Sequence, residues 1–361
     1  MSEPFIDQGL LARLPEPLLA WFRLNARDLP WRHARDPYRI WISEIMLQQT
    51  RVAAVLGYYD RFLKAFPTVQ ELAQAPEDRL MKCWEGLGYY SRARNLQKAA
   101  KVVTEQYAGQ FPDTYEGLLT LPGIGEYTAG AIASAAFDRP VPAVDGNVLR
   151  VVSRICDCDL DILDAKNKKL YRDAVGAIMP DAPEDIRIFN QAMMELGAVV
   201  CVPNGPPKCD QCPAGTFCQA RQRGTIGQLP VKTPKKPRRL EEKTVFVLLR
   251  DGKAALRKRG AHGLLAGLWE YPNLDGTLSE AAVPAAVAEL GLTVRDWKQQ
   301  LNARHIFTHV EWHMTGYVLE VSGAGNPDLV WADRAGLEQL AVPSAFAKYH
   351  AAAKSLLDAA L

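Results

Sequence analysis

The sequence predicts a multidomain protein, with an all-α N-terminal domain and a smaller α+β C-terminal domain. Apolar residues recur at spacings of three and four from Pro17 to about Leu196, which is typical of amphipathic helices. Strand-like alternation appears only from Thr244 onward. The segment before it is polar and rich in Pro, Lys and Arg, which favours an extended linker. We therefore predict a helical domain over residues 1–220, a linker over 221–242 and a second domain over 243–361.

Composition limits the class of protein. The chain has 361 residues, of which 48% are hydrophobic and 23% charged, as in ordinary globular proteins. Its longest apolar stretch, Ala129 to Phe137, is too short to cross a bilayer. We expect a cytoplasmic monomer with no membrane partner. The formal net charge of +2 is not a nucleic-acid signature, so any attraction to nucleic acid must come from local clusters of Arg and Lys.

The first functional pattern is a glycine-containing hairpin inside the helical region. Residues 121–129 read LPGIGEYTA, and a helix of small residues follows. We predict that Gly123 and Gly125 turn the backbone at positive φ, so that successive N–H groups and a helix N-terminus face a phosphate. This pattern, over about residues 118–137, indicates a helix-hairpin-helix that holds a nucleic-acid backbone without reading its sequence. An ordinary Pro-Gly turn between two helices is the alternative.

Two carboxylates are candidates for acid–base chemistry. Glu44 lies on a predicted helix whose nearest turns carry Ile40, Trp41 and Leu47, so its side chain projects from an apolar face. Burial raises a carboxyl pKa, which a general acid needs in order to hold its proton near neutral pH. A glutamate at the rim of a buried face is the alternative. Asp145 precedes another predicted helix, and its local pattern alone favours a plain N-cap.

A cysteine cluster closes the helical region. Cys201, Cys209, Cys212 and Cys218 lie within eighteen residues, with a CxxC at the centre. Four thiolates so spaced can converge on one metal centre. The gaps of seven and five residues that flank the CxxC are unlike the paired knuckles of structural zinc sites, although zinc remains the chemical alternative.

The second domain is predicted to start with a β-hairpin. TVFVLLR (244–250) and KAALRKR (253–259) flank Asp251-Gly252, a pair typical of a two-residue turn. Residues 281–290 have a helical pattern, and the alternation over 305–321 predicts one long strand. In that interpretation His309 is an ordinary strand residue.

Taken together, these motifs resemble the endonuclease III superfamily of helix-hairpin-helix DNA glycosylases, and within it the MutY-type adenine DNA glycosylases. The resemblance covers nearly the whole chain. It implies an active site in a cleft between two helical subdomains, and a [4Fe-4S] cluster on the four cysteines. The matching segments are LPWR (29–32), WISEIMLQQT (41–50), GLGYYSRARNL (86–96), LPGIGEYTAG (121–130), AVDGNVLRV (143–151), FNQAMMELGAVVC (189–201) and the cysteine cluster.

The resemblance also implies the substrate and the roles of individual residues. The expected partner is double-stranded DNA in which adenine is mispaired with 8-oxoguanine or guanine, and the adenine would be flipped out of the helix. Glu44 would protonate the flipped adenine, Asp145 would stabilise the sugar cation, and Tyr127 would assist. Residues expected to meet the adenine are Arg27, Trp31, Arg32 and Gln191, and those expected to wedge into the gap are Gln49, Leu87 and Tyr89.

Tyr127 also bears on the type of reaction. Related enzymes that cleave the DNA strand carry a lysine at this hairpin position, and its amine forms a Schiff base with the sugar. A tyrosine there implies a monofunctional glycosylase that leaves an abasic site. The alternatives are a bifunctional lyase of the endonuclease III kind and a catalytically silent DNA-binding protein. The presence of both Glu44 and Asp145 disfavours the silent protein.

The C-terminal domain resembles the Nudix-like domain that these enzymes use to inspect the opposite base. GLLAGLWEYP (263–272) matches its early segment. Of the carboxylates of a Nudix metal box, residues 284–291 retain only Glu289, so Mg²⁺-dependent nucleotide hydrolysis is not expected. Phe307, Thr308 and His309 align with the loop that contacts 8-oxoguanine in the family, and we expect the protein to associate with the nucleoid when bound to DNA.

Overall fold

The structure is a computed structural model that describes residues 6–234 and 237–359. The α-helices of these residues are α1 (Gln8–Leu11), α2 (Pro15–Asn25), α3 (Pro37–Leu47), α4 (Val52–Ala65), α5 (Val69–Gln74), α6 (Glu77–Trp84), α7 (Ser91–Gln106), α8 (Tyr115–Leu119), α9 (Glu126–Phe137), α10 (Gly146–Ile155), α11 (Ala165–Gly176), α12 (Pro183–Val199), α13 (Gln219–Arg223), α14 (Val283–Glu289), α15 (Arg334–Gln339) and α16 (Ala347–Asp358). The strands are β1 (Arg239–Arg250), β2 (Lys253–Lys258), β3 (Trp269–Glu270), β4 (Asn273–Asp275), β5 (Thr293–Ile306), β6 (Val310–Ser322) and β7 (Val330–Ala332).

The chain divides into two compact units. Unit 1 comprises the described residues up to Gln74 together with Arg94–Pro234, and unit 2 comprises Ala75–Ala93 together with the described residues from 237 onward. One segment of the N-terminal half, which contains α6 and the start of α7, therefore belongs to the same unit as the C-terminal domain. Within the described residues, no helix combines the length and apolarity needed to cross a membrane.

The predicted linker over 221–242 is not one extended segment. Its first part contains the end of α13 and a 3-10 turn, Ile226–Gln228, and its last residues belong to β1. The reason is apolar packing, since Leu229 is buried in the core of unit 1 and Ile226 packs against that core. Sequence polarity alone did not indicate these two contacts.

Unit 1 is all-helical, as predicted, and two of its helices carry the candidate catalytic residues. α3 begins with Asp36, whose side chain accepts a hydrogen bond from the backbone N–H of Tyr38, and with Pro37 at its first position. α9 packs against α3. α9 also lies close to the segment that precedes α10, since a Cβ at Gly130 would lie only 2.4 Å from the carbonyl oxygen of Pro142. The result is a fixed frame for Glu44 and Tyr127.

Unit 2 is built on a seven-stranded mixed sheet. The main strand order is β3-β2-β1-β6-β5, with β4 paired to β1 and β7 paired to β2. β1 and β2 form the predicted hairpin around Asp251-Gly252, with Arg250 opposite Lys253. β1 runs parallel to β6, whereas the other pairs are antiparallel.

Both faces of this sheet are covered. Along β1, Val245 and Val247 face a core that includes residues of α16, whereas Phe246 and Leu248 face a core that includes residues of α14. The predicted helix at 281–290 is present as a 3-10 turn, Glu280–Ala282, followed by α14. The alternation of β1 therefore reflects two separate apolar layers.

The prediction of one long strand over 305–321 is wrong. β5 ends at Ile306 and β6 begins at Val310, and the backbone N–H of Phe307 donates to the carbonyl oxygen of Val310 at 2.8 Å to close the turn. His309 is therefore an exposed turn residue and not an alternating strand residue. The alternating pattern correctly predicted strand structure on either side of the turn, but it did not indicate that the chain reverses direction there.

Candidate active site

A cleft of about 770 Å³ opens in unit 1. Its walls are formed by α3, α9 and α12 and by the residues that precede α10. A cleft of this size is large enough for a nucleobase and its sugar. The predicted site residues that line it are Arg27, Trp31, Arg32, Glu44, Gln49, Gly125, Tyr127, Asp145 and Gln191.

Glu44 is buried in this cleft, with 8% of its surface exposed. Burial raises the pKa of its carboxyl to about 7, a hydrogen bond from Tyr127 opposes the rise, and the charge of Asp145 adds to it. The hydroxyl of Tyr127 donates to Oε2 of Glu44 at 2.6 Å. Since Oε2 is occupied as an acceptor, Oε1 is the oxygen left to carry an acidic proton.

Tyr127 is held between two acceptors. Besides Glu44, its hydroxyl lies 3.0 Å from the thioether sulfur of Met194 on α12. Burial raises the pKa of Tyr127 well above its ordinary value, and the nearby charges of Glu44 and Asp145 add to this. The phenol therefore stays protonated and acts as a donor that orients Glu44.

Asp145 does cap α10, as its local pattern predicts. Its Oδ1 accepts from the backbone N–H groups of Asn147 and Val148, both at 2.9 Å, and its Oδ2 accepts from the side-chain amide of Asn147 at 2.7 Å. Burial raises the pKa of Asp145, whereas these donors oppose the rise. The same side chain lines the cleft, so capping fixes a second carboxyl group in the cleft and does not exclude a catalytic role.

The sequence reasoning missed Glu195, which organises the other end of the cleft. Its side chain is 1% exposed and binds two guanidinium groups. Arg27 donates through Nε at 2.7 Å and Nη2 at 2.6 Å, and Arg32 donates through Nη2 at 2.7 Å. Burial alone would raise the pKa of Glu195, but these hydrogen bonds outweigh it and lower the pKa to about 2.

A sequence signal for Glu195 did exist. It lies four residues after Gln191 on α12, in a stretch that is otherwise mostly apolar, so the two polar side chains share one helix face. Gln191 lines the cleft as expected. Trp31 is buried and packs edge-on against Tyr59, with ring centroids 5.4 Å apart.

The hairpin has the predicted helices on both sides, α8 and α9, but its two glycines differ. Gly123 has φ +78°, and a Cβ there would lie 2.6 Å from the Cβ of Asn95. Gly125 has φ −99°, so the prediction of a positive φ at this glycine is wrong. Gly125 is the N-cap of α9 and provides no capping side chain, which leaves the first N–H groups of this helix available to a ligand.

The four cysteines of the cluster line one small cavity in unit 1, together with Arg154 and Arg221. All four are free thiols. Arg154 Nη1 lies 3.4 Å from the sulfur of Cys201. Among the described residues, no group of three or more His, Cys, Asp or Glu side chains is arranged to hold a metal ion.

The remaining predicted residues lie in unit 2. Leu87 is buried, whereas Tyr89 is 45% exposed. The hydroxyl groups of Tyr89 and Thr308 are 3.0 Å apart. The ring of Phe307 packs edge-on against Trp312 at 4.8 Å, and His309 is exposed in the turn between β5 and β6.

Comparison with known proteins decides the family. Residues 42–174 match the model of the HhH-GPD superfamily of base excision DNA repair proteins, and residues 244–352 match that of the NUDIX domain. The chain is 35% identical to the adenine DNA glycosylase of Homo sapiens, over 88% of this chain and 69% of that protein. The chain belongs to the adenine DNA glycosylase family. The member of this family from Buchnera aphidicola subsp. Baizongia pistaciae is 33% identical, over 84% of each chain.

Solved structures support the same assignment for the helical part of this adenine DNA glycosylase family member. A thermostable thymine-DNA glycosylase is 29% identical with a TM-score of 0.53, over 60% of this chain and 100% of that chain. Endonuclease III in a trapped covalent complex with DNA is 25% identical with a TM-score of 0.52, over 61% of this chain and 99% of that chain. The predicted fold class, a helix-hairpin-helix glycosylase domain followed by a Nudix-like domain, is confirmed.

Proposed function

We propose that the protein is a hydrolase of base excision repair that removes adenine paired with 8-oxoguanine or guanine in double-stranded DNA. The observation that carries this proposal is a glutamic acid, Glu44, that is buried in the cleft and accepts a hydrogen bond from Tyr127 at 2.6 Å. Burial raises its pKa to about 7, which suits a group that holds a proton near neutral pH. Membership of the adenine DNA glycosylase family supports adenine as the base that is removed.

In the proposed mechanism the adenine leaves the helix and enters the cleft of unit 1. Arg27, Arg32 and Gln191 offer hydrogen-bonding groups to it, and Trp31 offers an aromatic surface. The carboxylate of Glu195 fixes both guanidinium groups before the base arrives, so less entropy is lost when the base binds.

The chemical step uses the two carboxyl groups of the cleft. Glu44 gives its proton to a ring nitrogen of adenine, and the N-glycosidic bond breaks with its electron pair going to the base, which departs neutral. The cationic sugar is stabilised by the anion of Asp145. Water then adds to C1′ and loses a proton to a carboxylate, which leaves an abasic site.

We propose a monofunctional enzyme because Tyr127 places a phenol, and not an amine, against Glu44. The described lining of the cleft does include one lysine, Lys168 on α11. Its exposed amine is the group that a bifunctional mechanism of the endonuclease III kind would have to use. Substitution of Lys168 by alanine is therefore the control for any covalent trapping.

We propose that Cys201, Cys209, Cys212 and Cys218 hold a [4Fe-4S] cluster. The donor set supports this, because the four thiols line one cavity beside two arginines that would offset a cluster's negative charge. When bound, such a cluster supplies a redox-active iron centre that cross-links the loop. Arg150 ties this loop to α10, since it donates to the carbonyl oxygen of Cys201 at 2.8 Å and to Oδ1 of Asn147 at 2.8 Å.

We propose that the turn of Phe307, Thr308 and His309 contacts the base opposite the adenine. Thr308 and His309 are exposed at the tip of the β5–β6 hairpin, which supports a contact with DNA. Gln49, Leu87 and Tyr89 are proposed to fill the gap in the helix. Action as a monomer in the cytoplasm, associated with the nucleoid, stays a prediction.

Single-turnover assays test the proposal. Duplexes that carry adenine opposite 8-oxoguanine, adenine opposite guanine, or an oxidised pyrimidine opposite guanine are incubated with excess enzyme and divided into samples with and without alkali. We expect strand breaks at the two adenine substrates, and only after alkali. Breaks without alkali, or a borohydride-trapped complex that is lost in Lys168→Ala, would instead establish the bifunctional mechanism. Equal cutting of the oxidised pyrimidine would overturn adenine specificity.

A further inference from the structure

We infer that Glu85 is a positioning residue through which the C-terminal domain sets the wedge segment, residues 85–90, and so makes adenine excision depend on the opposite base. The inference rests on the proposed function, because it assumes that the turn at residues 307–309 reads that base. It concerns contacts within unit 2.

The wedge segment has an unusual backbone. Gly86 and Gly88 have φ values of +95° and +69°, and Tyr89, which is not a glycine, has φ +47°. A side chain in this left-handed region costs conformational energy, so the conformation persists only where the surroundings fix it. The segment therefore depends on its contacts to keep Tyr89 in place.

Contacts from the two flanking helices hold the middle of the wedge segment. The indole Nε1 of Trp84 donates to the carbonyl oxygen of Gly88 at 3.1 Å, and Nη2 of Arg92 donates to those of Leu87 at 3.0 Å and Gly88 at 3.2 Å. The guanidinium of Arg92 also lies 5.6 Å from the ring centroid of Tyr89. These contacts fix the shape of the segment but do not link it to the C-terminal domain.

That link is made at the start of the wedge segment. Oε1 of Glu85 accepts a hydrogen bond from the backbone N–H of Val342 at 2.9 Å, and Val342 is buried. Lys82 donates to the carbonyl oxygen of Leu340 at 3.1 Å and lies 2.6 Å from Oε2 of Glu85. Loss of Glu85 would leave a buried N–H without an acceptor, which is costly, so the link is strong for a single side chain.

A second contact lies near the tip of the segment, where the hydroxyl groups of Tyr89 and Thr308 meet. The wedge segment is thus held at its start by residues 340–342 and near its tip by the turn proposed to read the opposite base. While Glu85 is held in place, a shift of the turn at residues 307–309 must change the backbone strain between Glu85 and Tyr89. Without Glu85, the start of the segment would lose its hydrogen bond to the backbone of Val342, so a shift of the turn would change the strain on the segment less and excision would depend less on the opposite base.

The test measures single-turnover excision of adenine opposite 8-oxoguanine and opposite guanine, and takes the ratio of the two rates. Glu85→Ala should lower this ratio about tenfold, which corresponds to about 1.4 kcal/mol. Glu85→Gln keeps an amide oxygen for the N–H of Val342 and should keep most of the wild-type ratio. Glu320→Ala is the matched control and should leave the ratio unchanged, because Glu320 is an exposed residue of β6 that pairs with Lys298 of β5.

Thermal unfolding shows whether each variant is folded. If Glu85→Ala does not fold, Lys82→Ala is measured in its place, because it removes the other link to residues 340–342, and the same direction of change is expected. A wild-type ratio in the alanine variant, or an equal loss for both substrates, would overturn the inference. A wild-type protein with no preference between the two substrates would instead contradict the proposed function of the turn.

Discussion

The rate of adenine excision should fall as the pH rises through about 7, because the proton on Glu44 is the one delivered to the base. Burial raises the pKa of this carboxyl to about 7, and the hydrogen bond from Tyr127 opposes the rise because it stabilises the ionised form. Above this pH the acid is ionised and the base leaves without protonation. The alkaline limb of the pH profile therefore reports the pKa of Glu44.

The structure gives the size and the sign of a shift in this limb. Tyr127→Phe removes a donor at 2.6 Å from a buried carboxylate. A hydrogen bond to a charged group contributes about 1.5–3 kcal/mol, and 1.36 kcal/mol corresponds to one pKa unit. The pKa of Glu44 should therefore rise by about one to two units, and the limb should move toward higher pH by the same amount.

The assay is single-turnover excision with saturating enzyme, followed over about pH 5.5 to 9.5, with abasic sites revealed by alkali. Tyr107→Phe is the matched control, because its hydroxyl contacts Thr120 in an exposed position. That variant should keep the wild-type limb. A limb in Tyr127→Phe that stays in place or moves to lower pH would refute the assignment of Glu44 as the titrating acid.

Three further predictions concern stability, recognition and the cysteine loop. Glu44→Gln should raise the free energy of unfolding at pH 8 by on the order of 3 kcal/mol, because the folded wild type keeps this proton up to about pH 7 whereas the unfolded chain releases it near pH 4.5. The stability of the wild type therefore falls as the pH rises from about 4.5 to about 7, and equal denaturant midpoints of the two proteins at pH 8 would contradict this prediction. Glu195→Ala should slow excision by about tenfold or more, since Arg27 and Arg32 lose the carboxylate that orients them, while Glu195→Asp should recover part of the rate; unchanged single-turnover kinetics in the alanine variant would argue against that role. Cys212→Ser should reduce bound iron, as measured by elemental analysis of the purified protein, and full iron content would count against the proposed cluster.

Local patterns were sufficient for much of the fold. Helical spacing predicted the all-α unit, and the Asp251-Gly252 pair predicted the β1–β2 hairpin, because both depend on contacts between residues that are near in sequence. The same holds for Asp145, whose capping hydrogen bonds reach only two and three residues ahead. The burial of Glu44 also followed from the apolar residues of its own helix.

Features that depend on distant contacts could not be predicted. The pairing of Glu195 with Arg27 and Arg32 joins residues more than 160 positions apart. The grouping of Ala75–Ala93 with the C-terminal domain likewise rests on contacts such as that of Glu85 with Val342. The turn that separates β5 from β6 was missed because Phe307, Thr308 and His309 contain no glycine or proline to mark a reversal.

The most direct test of the account compares single-turnover adenine excision by Glu44→Gln and by the wild type at pH 7. The glutamine keeps the shape of the side chain and an acceptor for Tyr127, but it has no acidic proton to give. The account predicts a rate lower by about 10²- to 10⁴-fold, with the affinity for the mispaired duplex almost unchanged. Excision at the wild-type rate would contradict it.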